Sequence, residues 1–439
     1  MAIPDSPKRI KVVSVVIESN RLTKSIDITS MVSEINIFES LFKPYLTGNM
    51  LWTDDADLQR IGNLGGTEIV KFTYKSILSG ETFTKNFVIA TIKSTKINDN
   101  VSQLSCTLIE QIGYLNNVMK ISKSYKGTGE EIIQKIVYDN LLSEVEVLAE
   151  PSVQSEFKYV VPYITPFDGI DVILKKITTD SGLPYFLYSS LTREKLVLTD
   201  LGTILKDEPF NPKALAYSQG ATNNADIKEQ LFSLETFEEA MMNESTLDMA
   251  TSGGIGTLYN LINATSGEVQ TAHIDVTAVV QRLMDMDILK DPNPLVDLLF
   301  TPNEEDGRTL PEFDSVVFSQ VATETYPESG YGGFTEEAVS PHYFLRIIRA
   351  GMLHHLTKNR YKVTGPGAIM TASDSSTVGN KVKIHVLNNA FGATGSRSVD
   401  QKKSGEFIIT AKRYSINVQQ NEHTYGLEVC RMSTEEVIR

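Results

Sequence analysis

Hydrophobic and polar residues alternate with a period of two in two widely separated segments of the chain. Each segment contains an alternating strand, a longer run centred on Phe-aliphatic-Ile and a closing strand: residues 70–74, 85–99 and 102–108 in the first, and residues 382–386, 405–419 and 424–430 in the second. Alternation of this kind places every second side chain of a strand in a hydrophobic core. The pattern therefore predicts that residues 70–108 and 382–430 adopt the same topology.

The two segments share further details. A glycine, Gly66 or Gly379, precedes the first strand, and a basic residue, Lys93 or Arg413, follows the Phe-aliphatic-Ile run. We interpret the segments as parts of two similar β-barrels or sandwiches that are used side by side. The alternative is that any two antiparallel meanders share these features, because strand patterns are short and permissive.

Changes of period divide the 439 residues into three predicted domains. Residues 1–118 are expected to form a first β-barrel, and residues 221–439 a second one with an extended insertion, rich in Asp and Pro, near residues 281–314. Between them, residues 119–220 change to a period of 3.6, which is typical of helices. The predicted fold class is mainly β, with two antiparallel β-barrels and an inserted α+β domain.

The predicted insert contains clear helix-start signals. Thr128 and Glu131 have the spacing of a capping box. A second helix is expected to have Pro166 at its first position, where a residue without an N–H is well suited, and to end at Gly182. A β-hairpin within residues 183–200 completes the predicted insert.

Further elements are predicted from the same patterns. They are a short helical turn within residues 54–62 that ends at a glycine, a strand at residues 227–236, a hairpin of residues 256–263 and 267–276, a strand at residues 313–326, and a helix that begins at Ser340.

The charge and the cysteines narrow the function classes. The formal net charge is −14, which argues against a surface that grips nucleic acid, although DNA could pass such a surface without sticking. The N-terminus lacks the apolar core of a secretory signal, and no run approaches the roughly 18 apolar residues of a membrane helix, so we expect no membrane insertion. Cys106 and Cys430 lie in predicted strands, and we interpret both as buried thiols in a reducing compartment.

Six histidines are the natural candidates for metal or base chemistry. His354 and His355 are adjacent on a predicted helix, so their side chains point about 100° apart and cannot chelate one ion as residues at i and i+4 can. His342 lies about three turns away on the same helix. The other three stand alone in predicted strands or turns: His273, His385 and His423.

The remaining motifs build no site. The glycine-rich stretches at residues 252–256 and 363–370 lack the neighbours of a phosphate loop, and no Gly-x-Ser-x-Gly nucleophile motif occurs. Acidic runs such as residues 304–306 are typical of solvated turns. The sequence therefore predicts no catalytic residue, no cofactor-binding residue, no metal ligand and no cofactor, and it favours a structural protein over an enzyme.

Three stretches carry a family resemblance. Residues 37–74 contain a strand, an SLF segment before a Gly, acidic residues, a short helix and a GTEI motif that leads into an alternating strand. Residues 167–188 contain a helix followed by a strand, and residues 406–429 contain two strands around a polar hairpin. In this order they resemble the first barrel, the insert domain and the second barrel of the baseplate hub proteins of contractile-tailed bacteriophages. A related fold forms the N-terminal part of type VI secretion spike proteins.

The resemblance implies an architecture and a set of partners. Each chain would supply two barrels similar to the tail-tube subunit, so a homotrimer would form a pseudo-sixfold ring in the baseplate of the virion. That ring would join the tail tube, or a tube-initiator protein, to a separate central spike protein and serve as a conduit for DNA. Tape-measure and baseplate-wedge proteins are further candidate partners. Synthesis is expected in the host cytoplasm.

The residues alone leave two other functional classes open. The first is a tail-associated carbohydrate-active hydrolase, which a pair of carboxylates in a cleft would favour. The second is a receptor-binding adhesin, which exposed aromatic side chains in loops would favour. For a hub, the acidic composition would suit a channel that repels DNA and leaves it mobile, whereas the plainer explanation is that acidity serves solubility.

Overall fold

The structure, a computed structural model of the chain, describes residues 5–20, 24–98, 101–152, 156–179, 182–211, 213–218, 226–239, 256–263, 267, 269–275, 284, 312–314, 316–322, 349, 352–353, 356, 360–371, 376–391, 397–400 and 403–431. Over these residues the protein is mainly β, which confirms the predicted fold class. One large sheet carries strands from both ends of the chain.

The N-terminal part of the chain forms the first barrel. Its strands are β1 (Lys11–Glu18), β2 (Ile26–Asp27), β3 (Val32–Ser40), β4 (Thr47–Asp54), β5 (Ile69–Lys75), β6 (Thr82–Lys96) and β7 (Ser102–Glu110). They pair antiparallel in the order β3–β4–β7–β6–β5–β1–β2, and β2 leads into β3 through residues 28–31, which closes the barrel. The helical turn α1 (Leu58–Ile61) ends at Gly62, as predicted.

A helical insert follows the first barrel. Its elements are α2 (Gln111–Val118), β8 (Ser124–Gly127), α3 (Gly129–Leu141), β9 (Val145–Val147), β10 (Phe157–Val160), α4 (Pro166–Leu174), β11 (Tyr185–Tyr188), β12 (Leu196–Asp200) and α5 (Leu201–Lys206). Thr128 caps α3 by accepting a hydrogen bond from the backbone N–H of Glu131, and Pro166 opens α4, as the sequence predicts. Strands β11 and β12 form the predicted hairpin, and β9 adds to it in parallel.

The chain from Leu215 onward contains the second barrel and a separate three-stranded sheet. Its elements are β13 (Leu215–Tyr217), α6 (Ile227–Gln230), β14 (Ser233–Leu234), β15 (Thr236–Glu239), β16 (Gly256–Asn263), β17 (Val269–Asp275), β18 (Val316–Ala322), β19 (Arg360–Pro366), β20 (Lys381–Phe391), β21 (Arg397–Val399), β22 (Gly405–Asn417) and β23 (Glu422–Cys430). The barrel order is β15–β19–β23–β22–β20–β13–β14, and β14 continues into β15. Strands β16 and β17 form the predicted hairpin, to which β18 adds in parallel.

The two barrels repeat one topology. In the first, β5–β6–β7 form an antiparallel meander, and in the second β20–β22–β23 do the same. A bulge interrupts the register between Ile89 and Thr91 in β6, and between Ile409 and Ala411 in β22. This agreement confirms the predicted common topology and aligns each residue of β6 with the residue of β22 that has the same pairing.

The repeat extends to the flanking strands. Strand β4 pairs with β7 as β19 pairs with β23, and β3 pairs with β4 as β15 pairs with β19. One strand position differs, because β1 runs antiparallel to β5 whereas β13 runs parallel to β20. Each barrel therefore has the same strand order with one strand reversed in direction.

Three hydrophobic cores fill the described structure. One lies in the first barrel, one in the second and one under helices α3 and α4 of the insert. The long strand β22 contributes to two of them, since Phe407 and Ile409 are buried in the second barrel while Tyr414 and Ile416 are buried in the first. The barrels thus share a strand rather than merely touching.

Some local predictions were wrong. Helix α4 ends at Leu174 and not at Gly182, because the chain continues into the buried, β-branched Thr178 and Thr179, which have low helix propensity. The predicted strand at residues 227–236 begins with the helical turn α6, and its strand part starts at Ser233. Helix α2 was not predicted.

Other predictions fall mostly outside the described residues. Of the insertion near residues 281–314, the structure describes residues 284 and 312–314. Of the predicted helix that begins at Ser340, the described positions include Met352 and Leu356, both buried in the second core. The strand expected at residues 313–326 is present as β18.

The glycines that precede the repeated strands provide a test of how tightly the insert packs against the second barrel. Gly66 and Gly379 have φ angles of 103° and 77°, which L side chains rarely adopt. A Cβ at Gly379 would lie 2.9 Å from the ring of Tyr188, whereas the nearest atom to a Cβ at Gly66 lies at 3.6 Å. We expect Gly66→Ala to cost about 1–2 kcal/mol of unfolding free energy from backbone strain. Gly379→Ala should cost roughly 1–3 kcal/mol more, because the site is also overpacked.

Chemical denaturation of both variants would measure this difference. Equal losses of stability would show that Tyr188 of the insert does not pack tightly against the second barrel.

Candidate functional site

The histidines do not come together in the part of the chain that the structure describes. His273 is exposed and its Nδ1 lies 2.7 Å from Asp314 Oδ1, His385 is half-buried on β20, and His423 is fully buried on β23. His342, His354 and His355 lie outside the described residues. Within the described ranges, no group of three His, Cys, Asp or Glu side chains has a geometry that could hold a metal ion. Cys106 and Cys430 are both buried free thiols.

No helix among the described residues is long and apolar enough to cross a membrane.

The most distinctive polar feature is the junction between the two barrels. Strand β22 pairs antiparallel with β3 over Ala411–Asn417, and this pairing places Lys412 opposite Glu39. Each side chain is only 2% exposed. A buried carboxylate and a buried ammonium are stable only when they are compensated by each other and by hydrogen bonds, so their partners show how the junction is held.

The carboxylate of Glu39 is hydrogen-bonded by groups from three parts of the fold. Its Oε1 accepts from the backbone N–H of Leu191 at 2.6 Å and from the hydroxyl of Tyr414 at 3.0 Å. Its Oε2 accepts from Thr377 Oγ1 at 2.7 Å, and Ser190 Oγ lies 3.3 Å from Oε1. Glu39 therefore connects the first barrel to the second barrel and to the β11–β12 loop of the insert.

Lys412 is held by backbone oxygens. Its Nζ donates to the carbonyl of Met370 at 2.8 Å and to that of Ser376 at 2.5 Å, and lies 4.1 Å from the centroid of the Tyr414 ring. Burial lowers the pKa of Lys412 to about 8, and the charge of Glu39 opposes that shift. At neutral pH the ammonium is therefore still protonated, and the nearby charge of Glu39 favours that form.

A second buried carboxylate ties the insert to the first barrel. Glu110, at the end of β7, lies 3.1 Å from Lys85 Nζ through its Oε1. The same carboxylate accepts from Ser189 Oγ at 2.9 Å and from the backbone N–H of Leu46 at 2.8 Å. Ser189 and Ser190 are consecutive, so one short loop of the insert reaches both buried glutamates.

His423 completes the junction on the side of the second barrel. Its ring stacks on Tyr414 with 5.4 Å between ring centroids, and Gly367 packs so closely that a Cβ there would meet the imidazole. Burial lowers the pKa of His423 to about 3, and nearby Lys412 adds to that shift. The ring is therefore neutral throughout the physiological range.

The outer face of the same junction is held by Arg413. Its guanidinium donates to Asn36 Oδ1 from Nη2 at 2.8 Å and from Nε at 3.1 Å, and lies over the ring of Phe38. The basic residue of the second repeated segment thus links the second barrel to the first.

The chemistry of this site is that of a structural connection. Glu39, Lys412 and Glu110 are enclosed by the cores, so a substrate in solution does not reach them. Sequence reasoning missed these residues. The available signal was a charge on the inward-facing positions of a strand, since Glu39 follows Ile35 and Ile37, and Lys412 precedes Tyr414, at spacings of two.

Comparison with known proteins identifies the fold. The sequence matches no known protein family and no curated protein. The structure is similar to the crystal structure of the 43 kDa tail protein of prophage MuSo2 from Shewanella oneidensis, with a TM-score of 0.51, 11% identity, and 96% of this chain and 98% of that chain covered.

Two further solved structures are less similar. A tail protein from Neisseria meningitidis gives a TM-score of 0.49 with 11% identity, covering 95% of this chain and 96% of that chain. An Escherichia coli component of the type VI secretion system gives 0.41 with 9% identity, covering 94% and 76%. The fold assignment therefore rests on the prophage protein: the chain has the fold of a phage tail protein, and the resemblance seen in the sequence is confirmed at the level of fold.

The buried carboxylate at the junction can be tested directly. Glu39→Gln keeps the size of the side chain but removes the charge that compensates Lys412, and it turns an NH2 group toward donors. We expect a loss of about 3–5 kcal/mol of unfolding free energy, because the change leaves the buried charge of Lys412 without its compensating carboxylate. The matched control is Glu34→Gln on the same strand at a partly exposed position, which should change stability by about 0.5 kcal/mol or less. Equal effects in denaturant titrations would contradict the role of Glu39.

The pKa of His423 predicts an acid sensitivity. The ordinary pKa of the group is 6.5 and its folded value is about 3, so between these values the unfolded chain binds a proton that the folded protein does not. Stability should therefore fall as the pH falls through this window, by up to ~1.4 kcal/mol per pH unit from this residue. His423→Phe, which keeps an aromatic ring over Tyr414, should reduce the slope of unfolding free energy against pH.

The control for this measurement is His385→Phe, on β20 and only half-buried. Denaturant titrations between pH 7 and pH 4 would give the slopes. A slope unchanged by His423→Phe but reduced by His385→Phe would contradict the prediction, because it would assign the acid sensitivity to His385.

Proposed function

We propose that the protein is a structural component of a phage tail, the baseplate hub, and that three copies form a pseudo-sixfold ring. The observation that carries the proposal is the repetition of one barrel topology within a single chain that has the fold of a phage tail protein. Two equivalent barrels per chain give six barrel positions in a trimer. Six positions match a sixfold tube on one side, while three chains match a threefold spike on the other.

The proposed partners follow from that position. The ring would contact itself as a homotrimer, a tail-tube or tube-initiator protein above, and a central spike protein below, with tape-measure and baseplate-wedge proteins as further contacts. We retain the domain limits 1–118, 119–220 and 221–439 as part of the proposal. Within these limits the insert contributes one strand to the second barrel, because β13 lies within residues 119–220 but pairs with β14 and β20.

The proposed role is not enzymatic. The distinctive buried charges of the described structure are committed to holding the barrels and the insert together, and each is enclosed. In the proposed ring the central channel would carry DNA in passage. The formal charge of −14 per chain suits an acidic or neutral lumen, because a basic lumen would hold DNA through its phosphates.

The oligomeric state provides the principal test. The purified full chain should have the mass of three chains by light scattering or native mass spectrometry, because closed cyclic symmetry leaves no unsatisfied subunit interface. Particle images should show a threefold ring with six similar barrels and a lumen not lined mainly by Lys and Arg.

Two outcomes would reject the proposal. One is a stable monomer that binds no tail protein. The other is cleavage of peptidoglycan or another polysaccharide that a single carboxylate substitution abolishes, which would favour the hydrolase.

A further inference from the structure

The junction between the barrels within one chain shows how such barrels join. Strand β22 is long enough to have two partners along one edge: Lys381–Ile384 of β20 pair with its first part, and Glu34–Ser40 of β3 pair with its second part. The change of partner occurs at the bulge near Thr410. The second half of β22 thus keeps β23 of its own barrel on one edge and pairs with the other barrel on its other edge.

Strand β6 is the equivalent of β22 in the first barrel and is built in the same way. Its first part pairs with β5 up to Val88, and its bulge lies at Ala90. Beyond the bulge, Thr91–Lys96 pair with β7 on one edge, and among the described residues no strand pairs with the other edge. Most side chains of this half are exposed, and Ile97, directly after it, is 58% exposed.

Strand β15 is the equivalent of β3. The two strands pair with β19 and β4 in matching registers, so Glu238 occupies the position of Asn36 and Glu239 that of Ile37. Strand β3 uses its other edge to bind β22. The corresponding edge of β15 has no paired strand in the described part of the chain, and Glu238 and Glu239 are exposed.

We propose that the open half of β6 in one copy pairs with β15 of a neighbouring copy, repeating between chains the β22–β3 junction found within the chain. Transferring the observed register, in which Ser415 lies opposite Asn36, places Thr95 opposite Glu238 and Ser94 opposite Glu239 in an antiparallel pair. The partner is a second copy of this chain, and the closing of such contacts into a ring of three rests on the function proposed above.

The charges on the two open edges are complementary. Within the chain, Arg413 reaches diagonally across the junction to Asn36. The equivalents of these residues are Lys93 and Glu238, which would form an ion pair in the same diagonal position. Diagonal cross-strand neighbours are within reach of long side chains, and opposite charges there stabilise the pairing.

The two open edges are different surfaces of the chain. Each chain has one basic open edge on its first barrel and one acidic open edge on its second, so every copy would use a different surface on each side. Such head-to-tail contacts form a ring when the rotation between copies closes. A closed ring would leave neither of these two edges unpaired, and an unpaired edge is an aggregation hazard.

Engineered disulfides would test the register. In the full-length protein, the pairs Thr95→Cys with Glu238→Cys, and Ser94→Cys with Glu239→Cys, place two thiols directly opposite each other, at a separation that a disulfide spans. Mild oxidation should give dimer and trimer bands on denaturing gels that a reductant removes. The matched control, Thr95→Cys with Glu239→Cys, places the thiols on opposite faces of the sheet and should not cross-link.

A charge exchange would test the ion pair. Lys93→Glu or Glu238→Lys alone should weaken association by about fivefold, which corresponds to the upper range for a cross-strand charge pair. The two together should restore association to within about twofold of the unaltered chain. Lys71→Glu is the control, because Lys71 is exposed on β5, which is paired on both edges, and this change should leave association unaltered.

The outcomes separate the two proposals. A trimer by mass in which neither matched pair cross-links would overturn the strand pairing and leave the hub function in place. Cross-linking by the mismatched control as readily as by the matched pairs would also overturn the pairing. Matched cross-links in rings that do not contain three chains would support the pairing and reject the trimeric hub, and a stable monomer would reject both.

Discussion

The pairing of β22 with β3 is the interaction on which the rest of the structure depends. It fuses two barrels into one sheet and places Glu39 opposite Lys412, where both residues are buried. Backbone pairing sets the distance between the barrels, while the buried charges restrict the register, because a shift by one residue would place the two charges on opposite faces of the sheet. Hydrogen bonds from the insert loop to the same carboxylate then fix the third unit.

This arrangement explains why polar residues occupy the centre of the molecule. An apolar contact between barrels would stabilise association but would permit neighbouring registers. A buried carboxylate with several specific donors is stable only in one arrangement, since a misplaced donor leaves a buried charge without compensation. If three copies place six barrels around one axis, as proposed, each chain needs a defined angle between its two barrels. The facing Glu39 and Lys412 are well suited to define it.

The repeat also shows where the two barrels agree and where they differ. The bulges in β6 and β22 are at equivalent positions, and the strand order is the same. The equivalent strand edges differ: Arg413 donates to Asn36 across the junction within the chain, whereas the equivalent Lys93 and Glu238 lie on edges with no paired strand among the described residues. The direction of β13, which is parallel to β20 whereas β1 is antiparallel to β5, is a further difference.

The sequence by itself determined the strands, the common topology of the two meanders, the caps of α3 and α4 and the resemblance to phage hub proteins, because period-two alternation and capping are local signals. The predictions missed the end of α4, where the β-branched Thr178 and Thr179 follow the helix. They also missed the turn α6 and helix α2, which depend on packing as well as on local preference. The Glu39–Lys412 junction was decided only by the tertiary structure. These residues lie hundreds of positions apart, and each reads locally as an ordinary charged residue until the fold places both on the inner faces of paired strands.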